Sequence, residues 1–408
     1  MSFSNKVITL SNMMELTHGL RRSLVNALAL IYFLSLDFDI VAVTTLFAAS
    51  TLIMTLFEFP TGALADYDSR KKSLFISFFL MGISFSGIFV FDQFWVLACF
   101  WILGDIAFTF STGARSAWAI DALRAAKDKI VILKLGSQAA FHERLGQVVG
   151  GMAGLALVLI DLRFVWLLIA MTNFAMAYII WHHVEERYFK PEKLPTHWLI
   201  KVISKAKESY VYILSKSNRT LRLYMLIEAL GTISSSAFLL ALPLLLTQHL
   251  GLDKQFLPLL YGSVMFMTLA APWLAQRYMA NFDLKITLWL LGTLTGSVML
   301  ALGLVESILL AVLAVAIINF VNTGSDVLGY AAMELKFSSK IRASLGSINS
   351  INWSVNNAVA VFLAGLGITY FGVASVIVIA GVIALIASAM YLLSESSSVD
   401  EVKYGKRK

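Results

Sequence analysis

The sequence predicts an all-α protein that crosses a membrane many times. Of its 408 residues, 59% are hydrophobic and 14% are charged, and the mean hydropathy is +0.79. Soluble globular domains carry about 25% charged residues. Apolar runs of about 20 residues, the length that crosses the hydrocarbon core of a bilayer, recur along the whole chain. The length of the chain is sufficient for twelve of them.

We predict twelve transmembrane helices with both termini in the cytoplasm. The predicted spans are residues 8–36, 40–64, 73–92, 94–121, 139–160, 163–184, 220–247, 256–276, 284–304, 307–333, 343–368 and 372–393. Most of the 32 Lys and Arg residues then lie in the even-numbered loops and the termini, whereas the loops on the other face hold Arg163 and Lys254. Positively charged loops mark the cytoplasmic side. The net charge of +7 therefore reflects topology and does not indicate a nucleic-acid partner.

Several functional classes are excluded by what the sequence lacks. Cys99 is the only cysteine, so an internal disulfide is excluded. The sequence has no phosphate-binding loop, hydrolase motif or dinucleotide fingerprint, so we expect neither an enzyme nor an ATP-driven pump, and no cofactor. His182 and His183 are adjacent and point to different sides of a helix, so a metal site is not expected there. No cleavable signal is evident near the first span.

The chain divides into two halves that echo each other at an offset near 211 residues. The predicted domains are a first six-helix bundle (1–184), a polar linker (185–219), a second bundle (220–393) and a cytoplasmic tail (394–408). The linker reads either as a basic amphipathic helix on the membrane surface or as a solvated connection. Leu64-Ala65-Asp66 corresponds to Leu274-Ala275-Gln276, so the acid is absent from the second copy. Such weak internal similarity is typical of transporters built from repeats.

One loop carries a family resemblance. The pattern Gly62-x-Leu64-Ala65-Asp66-x-x-x-Arg70-Lys71 resembles the loop between the second and third helices of major facilitator superfamily (MFS) transporters, which usually reads G-x-L-A-D-R-x-G-R-K. Tyr67 and Ser69 replace its basic residue and its second glycine. The resemblance implies two pseudo-symmetric bundles that rock about a midplane cavity. It also implies that Gly62, Asp66 and Arg70 form a conformational latch between helices 2 and 11.

The resemblance further implies that helices 1, 4, 7 and 10 line the cavity, and each of these predicted spans carries a carboxylate in a polar stripe. The stripes are Ser11, Glu15, His18, Arg22 and Asn26; Asp105, Thr109, Thr112 and Ser116, with Arg115 nearby; Tyr224, Glu228, Thr232 and Ser235; and Asn319, Thr323, Asp326 and Tyr330. Within a stripe the residues recur at helical spacing. Ionisable residues inside a membrane face protein or water and mark transport pathways.

These residues indicate proton coupling. A carboxylate that is partly removed from water can bind and release a proton near neutral pH, and histidine titrates in the same range. We therefore predict Glu15, His18, Asp105, Glu228 and Asp326 as proton-coupling candidates, with Glu15 and Asp105 first. Three alternatives stay open: arginines neutralise the acids permanently, Arg21, Arg22 and Arg115 bind a substrate anion, or the start of the first span protrudes into water.

The predicted function is proton-coupled export of a small amphiphilic or drug-like compound across a bacterial cytoplasmic membrane, by a monomer. One alternative is a proton-coupled uptake symporter for a polar or anionic nutrient. The other is a membrane sensor or scaffold that transports nothing. Ten further polar residues on or beside the stripes are substrate-cavity candidates. They are Arg22, Asn26, Thr109, Thr112, Arg115, Tyr224, Thr232, Asn319, Thr323 and Tyr330.

Overall fold

A computed structural model describes residues 3–125, 129–186, 219–275, 277, 282–336 and 339–393. Every regular element within these ranges is a helix. The helices are α1 (Phe3–Ser35), α2 (Ile40–Tyr67), α3 (Arg70–Val90), α4 (Phe94–Thr109), α5 (Ala114–Ala125), α6 (Lys129–Val158), α7 (Phe164–His183), α8 (Arg219–Leu244), α9 (Phe256–Met267), α10 (Ala271–Leu274), α11 (Leu284–Leu302), α12 (Ile308–Lys336), α13 (Ser339–Phe371) and α14 (Val373–Tyr391). The linker helix predicted within 185–219 and the tail from residue 394 onward lie outside the described residues.

The prediction of an all-α polytopic membrane protein is confirmed. Ten segments within the described residues are long and apolar enough to cross a bilayer. Helices α1 and α6, with 33 and 30 residues, also have the required length, but charged side chains interrupt their apolar runs. The count of twelve spans therefore stays a prediction.

The chain forms two compact units. The N-terminal unit comprises the described residues of 1–39, 49–198 and 253–266, and the C-terminal unit comprises those of 40–48, 199–252 and 267–408. Two segments thus group differently from the predicted bundles. The segment 253–266 joins the N-terminal unit because α9 packs tightly on α6: a Cβ at Gly262 would lie 2.6 Å from the carbonyl oxygen of Gln147.

The predicted fourth span is two helices instead of one. Helix α4 ends at Thr109 and α5 begins at Ala114, and Gly113 between them has a φ of +64°, which favours glycine. Hydroxyl groups satisfy carbonyls around this break, as in the 2.7 Å hydrogen bond that Ser73 Oγ donates to the Phe110 oxygen. The interruption turns α5 away from the helical register of α4, so the predicted single face from Asp105 to Ser116 does not persist.

Candidate functional site

Glu15 lies on α1 and is paired with an arginine that follows the helix break. Arg115 Nη1 donates a hydrogen bond to Glu15 Oε2 at 3.0 Å. Both side chains are largely buried, with exposed fractions of 14% and 15%. The pair connects α1 to α5 within the N-terminal unit. This contact is the one expected if an arginine neutralises Glu15, and the coupling role of Glu15 stays a prediction.

Asp105 on α4 is held by a hydroxyl group. Ser50 on α2 is fully buried and donates a hydrogen bond of 2.5 Å from its Oγ to Asp105 Oδ2. Asp105 and Arg21 line one cavity of about 20 Å³, which has room for about one ordered water. The other lining residues are Val25, Ser84, Phe85, Ile88, Trp101 and Gly104. Asp105 and Arg21 also interact electrostatically.

Arg21 is positioned by aromatic stacking. Its Nη2 lies 3.4 Å from His18 Nδ1, and its guanidinium carbon lies 4.8 Å from the ring centroid of Phe108. The rings of His18 and Phe108 stack with a centroid separation of 5.3 Å. A cation over an aromatic face is stabilised by the ring quadrupole. The Nε atom of Arg21 is buried and has no hydrogen-bond partner among the described residues.

Arg22 points to another helix. Its Nη1 donates a hydrogen bond of 2.8 Å to Glu143 Oε1 on α6, and the Gln147 amide approaches the same oxygen at 3.4 Å. Half of the Arg22 side chain is exposed, whereas Gln147 is fully buried. Glu143 was not predicted as a site residue. The signal was available, because it is an acid inside a predicted span.

The predicted hydroxyl stripe of the fourth span serves the backbone. Thr109 donates to the Ile106 oxygen at 2.7 Å, Thr112 to the Thr109 oxygen at 2.9 Å and Ser116 to the Gly113 oxygen at 3.2 Å. Hydroxyl groups often bond the preceding turn in this way. These three donors are therefore engaged by nearby backbone carbonyl groups, although their oxygens can still accept. Asn26 on α1 is exposed.

In the C-terminal unit, the predicted acids lie near two tyrosines. Glu228 on α8 and Asp326 on α12 interact electrostatically, and both also act on Tyr391 at the end of α14. The rings of Tyr224 and Tyr391 meet edge to face, with centroids 6.4 Å apart. Tyr391 was not predicted as a site residue because it lies at the polar end of the last span.

The other candidates of the C-terminal unit bond locally. Thr232 is buried, the Asn319 amide donates to the Val315 oxygen at 2.8 Å, and Thr323 donates to the Asn319 oxygen at 2.8 Å. The Tyr330 side chain lies outside the part that the structure describes. No group of three or more His, Cys, Asp or Glu residues that could hold a metal ion occurs among the described residues.

Comparison with known proteins identifies the fold. No family model matches the sequence, and no curated protein matches it. Solved structures do match: a POT family transporter in complex with a thioalcohol-conjugated peptide (TM-score 0.75, 13% identity, 95% of each chain) and a D-xylose-proton symporter (TM-score 0.70, 13% identity, 96% of this chain and 97% of the other). A bacterial homologue of the human lysosomal transporter Spinster, inward-facing and unoccupied, also matches (TM-score 0.73, 15% identity, 96% and 97%). The chain has the MFS fold.

The MFS loop motif is built differently from the expected latch. Arg70 lies 3.7 Å from Asp66, whose side chain is 69% exposed. The closer partner of Arg70 is Asp121 on α5, and Arg70 also donates to the Ala117 oxygen at 3.0 Å. A Cβ at Gly62 would meet no atom within 4 Å, so close packing does not explain this glycine. The loop thus joins α3 to α5 inside the N-terminal unit, and its latch role stays a prediction.

The serine in place of the second motif glycine has a structural explanation. Ser69 is the N-cap of α3, with φ −170° and ψ 127°, an extended conformation that any residue adopts. Its hydroxyl group accepts from the Lys72 amide at 3.0 Å and donates to Glu186 at 2.5 Å. The Glu186 carboxylate also accepts from the Lys71 amide at 2.9 Å. A glycine here would lose both side-chain hydrogen bonds, so serine fits this chain better.

Proposed function

We propose that the protein is a proton-coupled secondary transporter in which Asp105 carries the proton. The observation that carries this proposal is the geometry of Asp105. Its carboxylate lies beside a small cavity, accepts a hydrogen bond from the uncharged Ser50 and faces Arg21. An acid held by a hydroxyl can take up and release a proton without first breaking an ion pair. The MFS fold, shared with a D-xylose-proton symporter, supports transport in general.

Glu15, His18, Glu228 and Asp326 rank below Asp105 in this proposal. Glu15 is bonded to Arg115, so a proton must displace an arginine to reach it. His18 stacks on Phe108 and faces the cation of Arg21. Glu228 and Asp326 act on each other as like charges, and no described contact links either acid to a cavity.

The geometry favours uptake over export. In one mechanism of export, a cationic substrate and a proton compete for the same carboxylate. This mechanism requires a carboxylate that the substrate can reach. In the N-terminal unit, Glu15 and Glu143 each have a resident arginine, at 3.0 and 2.8 Å. Arg21, by contrast, has a buried Nε without a hydrogen-bond partner among the described residues, which suits a polar or anionic substrate. We therefore place proton-coupled uptake first. The predicted setting is unchanged: a monomer in a bacterial cytoplasmic membrane with both termini cytoplasmic.

Export of a small amphiphilic compound is the second candidate. The observation in its favour is the lining beside Asp105, where Trp101, Phe85 and Ile88 provide an apolar wall. Such a wall suits an amphiphile more than a sugar or a nucleoside.

Transport in sealed vesicles tests both candidates. Purified protein in proteoliposomes is exposed to a proton gradient and to a panel comprising D-xylose, nucleosides, short peptides, 5-aminolevulinic acid and a cationic amphiphile. Accumulation driven by inward proton flow supports uptake, and substrate movement against it supports export. If no compound moves in either direction, the result supports the alternative of a membrane sensor or scaffold. Asp105→Asn is the decisive variant, because the amide oxygen still accepts the hydrogen bond from Ser50 but the side chain does not bind and release a proton near neutral pH.

A further inference from the structure

We propose that Arg21 binds an anionic group of the transported molecule, and that it does so while Asp105 is protonated. This inference deepens the proposed function and rests on it, because Asp105 is taken as the proton carrier. It names the substrate class as molecules with a carboxylate or a similar anion. Three arginines on α1 and α5 lie near this site, and the structure separates their roles.

Two of the three arginines already have carboxylate partners. Arg115 donates to Glu15 at 3.0 Å and Arg22 donates to Glu143 at 2.8 Å. Arg21 forms no ion pair of this kind with a described carboxylate within 4.0 Å. Its Nε–H is buried and lacks a hydrogen-bond partner among the described residues. A buried donor without an acceptor is costly, so an acceptor that arrives with the substrate gains that energy.

Arg21 is also held in place before any ligand arrives. His18 accepts at 3.4 Å from one end of the guanidinium group, and Phe108 lies under its plane at 4.8 Å. These contacts leave the Nε edge for another group. The planar guanidinium fork matches the two oxygens of a carboxylate. The cavity of about 20 Å³ beside Arg21 admits one small group, so the bulk of a ligand must lie beyond it.

The charge balance decides when an anion is favoured. We define the N-terminal charge cluster as Glu15, Arg21, Arg22, Asp105, Arg115 and Glu143, the charges that act on one another around Arg21. His18 also faces Arg21, and because its Nδ1 accepts from the guanidinium group it is uncharged in this arrangement. With His18 uncharged and all six cluster members ionised, the cluster has three positive and three negative charges and is neutral. Protonation of Asp105 leaves a net charge of +1 in a region of low dielectric. An anion at Arg21 restores neutrality.

This balance sets the sign of the coupling. The proton and the anion each favour binding of the other, because each compensates the charge change that the other causes. Both are then carried in one direction, as in symport. A cation at the same site would instead compete with the proton.

Ligand binding tests this inference without any transport assay. The melting temperature of the detergent-purified full chain is measured with benzoate, benzylammonium and benzyl alcohol, which share a ring and differ in charge. We expect benzoate to raise the melting temperature by about 2 °C or more at about pH 5.5, and by less at about pH 8. The other two probes should have smaller effects at both pH values.

Variants assign the effect to Arg21. Arg21→Gln should abolish the benzoate shift, and Arg21→Lys, which keeps the charge, should retain part of it and serves if the glutamine variant does not fold. Arg163→Gln is the matched control, because Arg163 pairs with Asp92 in a loop at 2.5 Å. It should keep the full shift. Asp105→Asn should show the benzoate shift at both pH values.

Several results would overturn the inference: no benzoate shift at either pH, an equal shift in Arg21→Gln, or a larger shift with benzylammonium. These failures are distinct from failure of the proposed function. If Asp105→Asn uncouples transport while benzoate stabilises Arg21→Gln as well as the parent, only the role of Arg21 is wrong. If Asp105→Asn transports with an unchanged pH dependence, the proton carrier itself is wrong.

Discussion

The two units differ in the described surroundings of their membrane acids. In the N-terminal unit, Glu15 and Glu143 are bonded to arginines on other helices, and Asp105 is bonded to Ser50. In the C-terminal unit, Glu228 and Asp326 repel each other, and Tyr224 and Tyr391 pack nearby. The sequence repeat places one acid on each predicted cavity helix, but the surroundings of those acids differ between the units.

We therefore expect the two units to respond differently when a charge is added or removed. A neutral cluster of alternating charges responds to one added proton by attracting an anion, so the N-terminal unit suits coupled binding. The two acids of the C-terminal unit act on each other as like charges, so removal of one charge should relieve repulsion there.

The largest effect is expected for Asp105→Asn. Gradient-driven accumulation of a substrate should fall by about 100-fold or more, because the coupling proton has no carrier. Downhill exchange of the same substrate should persist, since the hydrogen bond with Ser50 survives. The measurement is accumulation and exchange in proteoliposomes. Ser50→Ala, which keeps the carboxylate, should lose less than about tenfold.

The next effect concerns the stability of the N-terminal pair. Arg115→Gln leaves the buried Glu15 without its cation and should lower the free energy of unfolding by about 3 kcal/mol. The double variant Glu15→Gln with Arg115→Gln should recover most of that loss, because no uncompensated charge remains. Thermal unfolding measures both. Equal losses in the single and double variants would show that the pair acts through packing instead of charge.

Neutralising an acid of the C-terminal unit should not lower the melting temperature, in contrast to Arg115→Gln in the N-terminal unit. Glu228→Gln removes one of two like charges, so the melting temperature should stay the same or rise by about 2 °C. Asp326→Asn removes the other charge of the pair and serves as the reciprocal variant, with the same expected result. A fall as large as that of Arg115→Gln would mean that Glu228 is stabilised by a cation, and the contrast between the units would then disappear.

The smallest effect is expected at the loop motif. Asp121→Asn removes the close partner of Arg70 and should cost about 1 kcal/mol in the free energy of unfolding. Asp66→Asn should change it by less than about 0.5 kcal/mol, because Asp66 is 69% exposed and lies 3.7 Å from Arg70. Chemical denaturation compares the two. The reverse order would restore Asp66 as the main partner of Arg70.

Much of the fold was predictable because hydrophobic length and charge asymmetry are local signals. The apolar runs located the helices, and the loop between Gly62 and Lys71 indicated the MFS fold. The break between Thr109 and Ala114 was missed, since the segment Phe94–Arg124 is long and apolar enough on average to be taken as one span. The Thr112-Gly113 dipeptide was its signal, because glycine at a positive φ ends a helix.

The site was predictable in its members but not in its pairings. Glu15, Arg115 and Asp105 were all named from the sequence, because ionisable residues in a span are conspicuous. Their partners depend on the rotation of each helix about its axis, which an apolar pattern alone does not set. Ser50 was missed for this reason, as was Asp121. Glu143 and Glu58, a half-buried acid on α2, carried the same signal as Asp105 and were overlooked.

Whether Asp105 carries the coupling proton is tested by measuring how a proton gradient drives substrate accumulation in proteoliposomes that contain either the parent protein or Asp105→Asn. We predict that the parent concentrates at least one compound of the panel at the expense of the gradient, and that Asp105→Asn only equilibrates that compound. Accumulation by Asp105→Asn to the level of the parent, with the same pH dependence, would show that Asp105 does not carry the coupling proton.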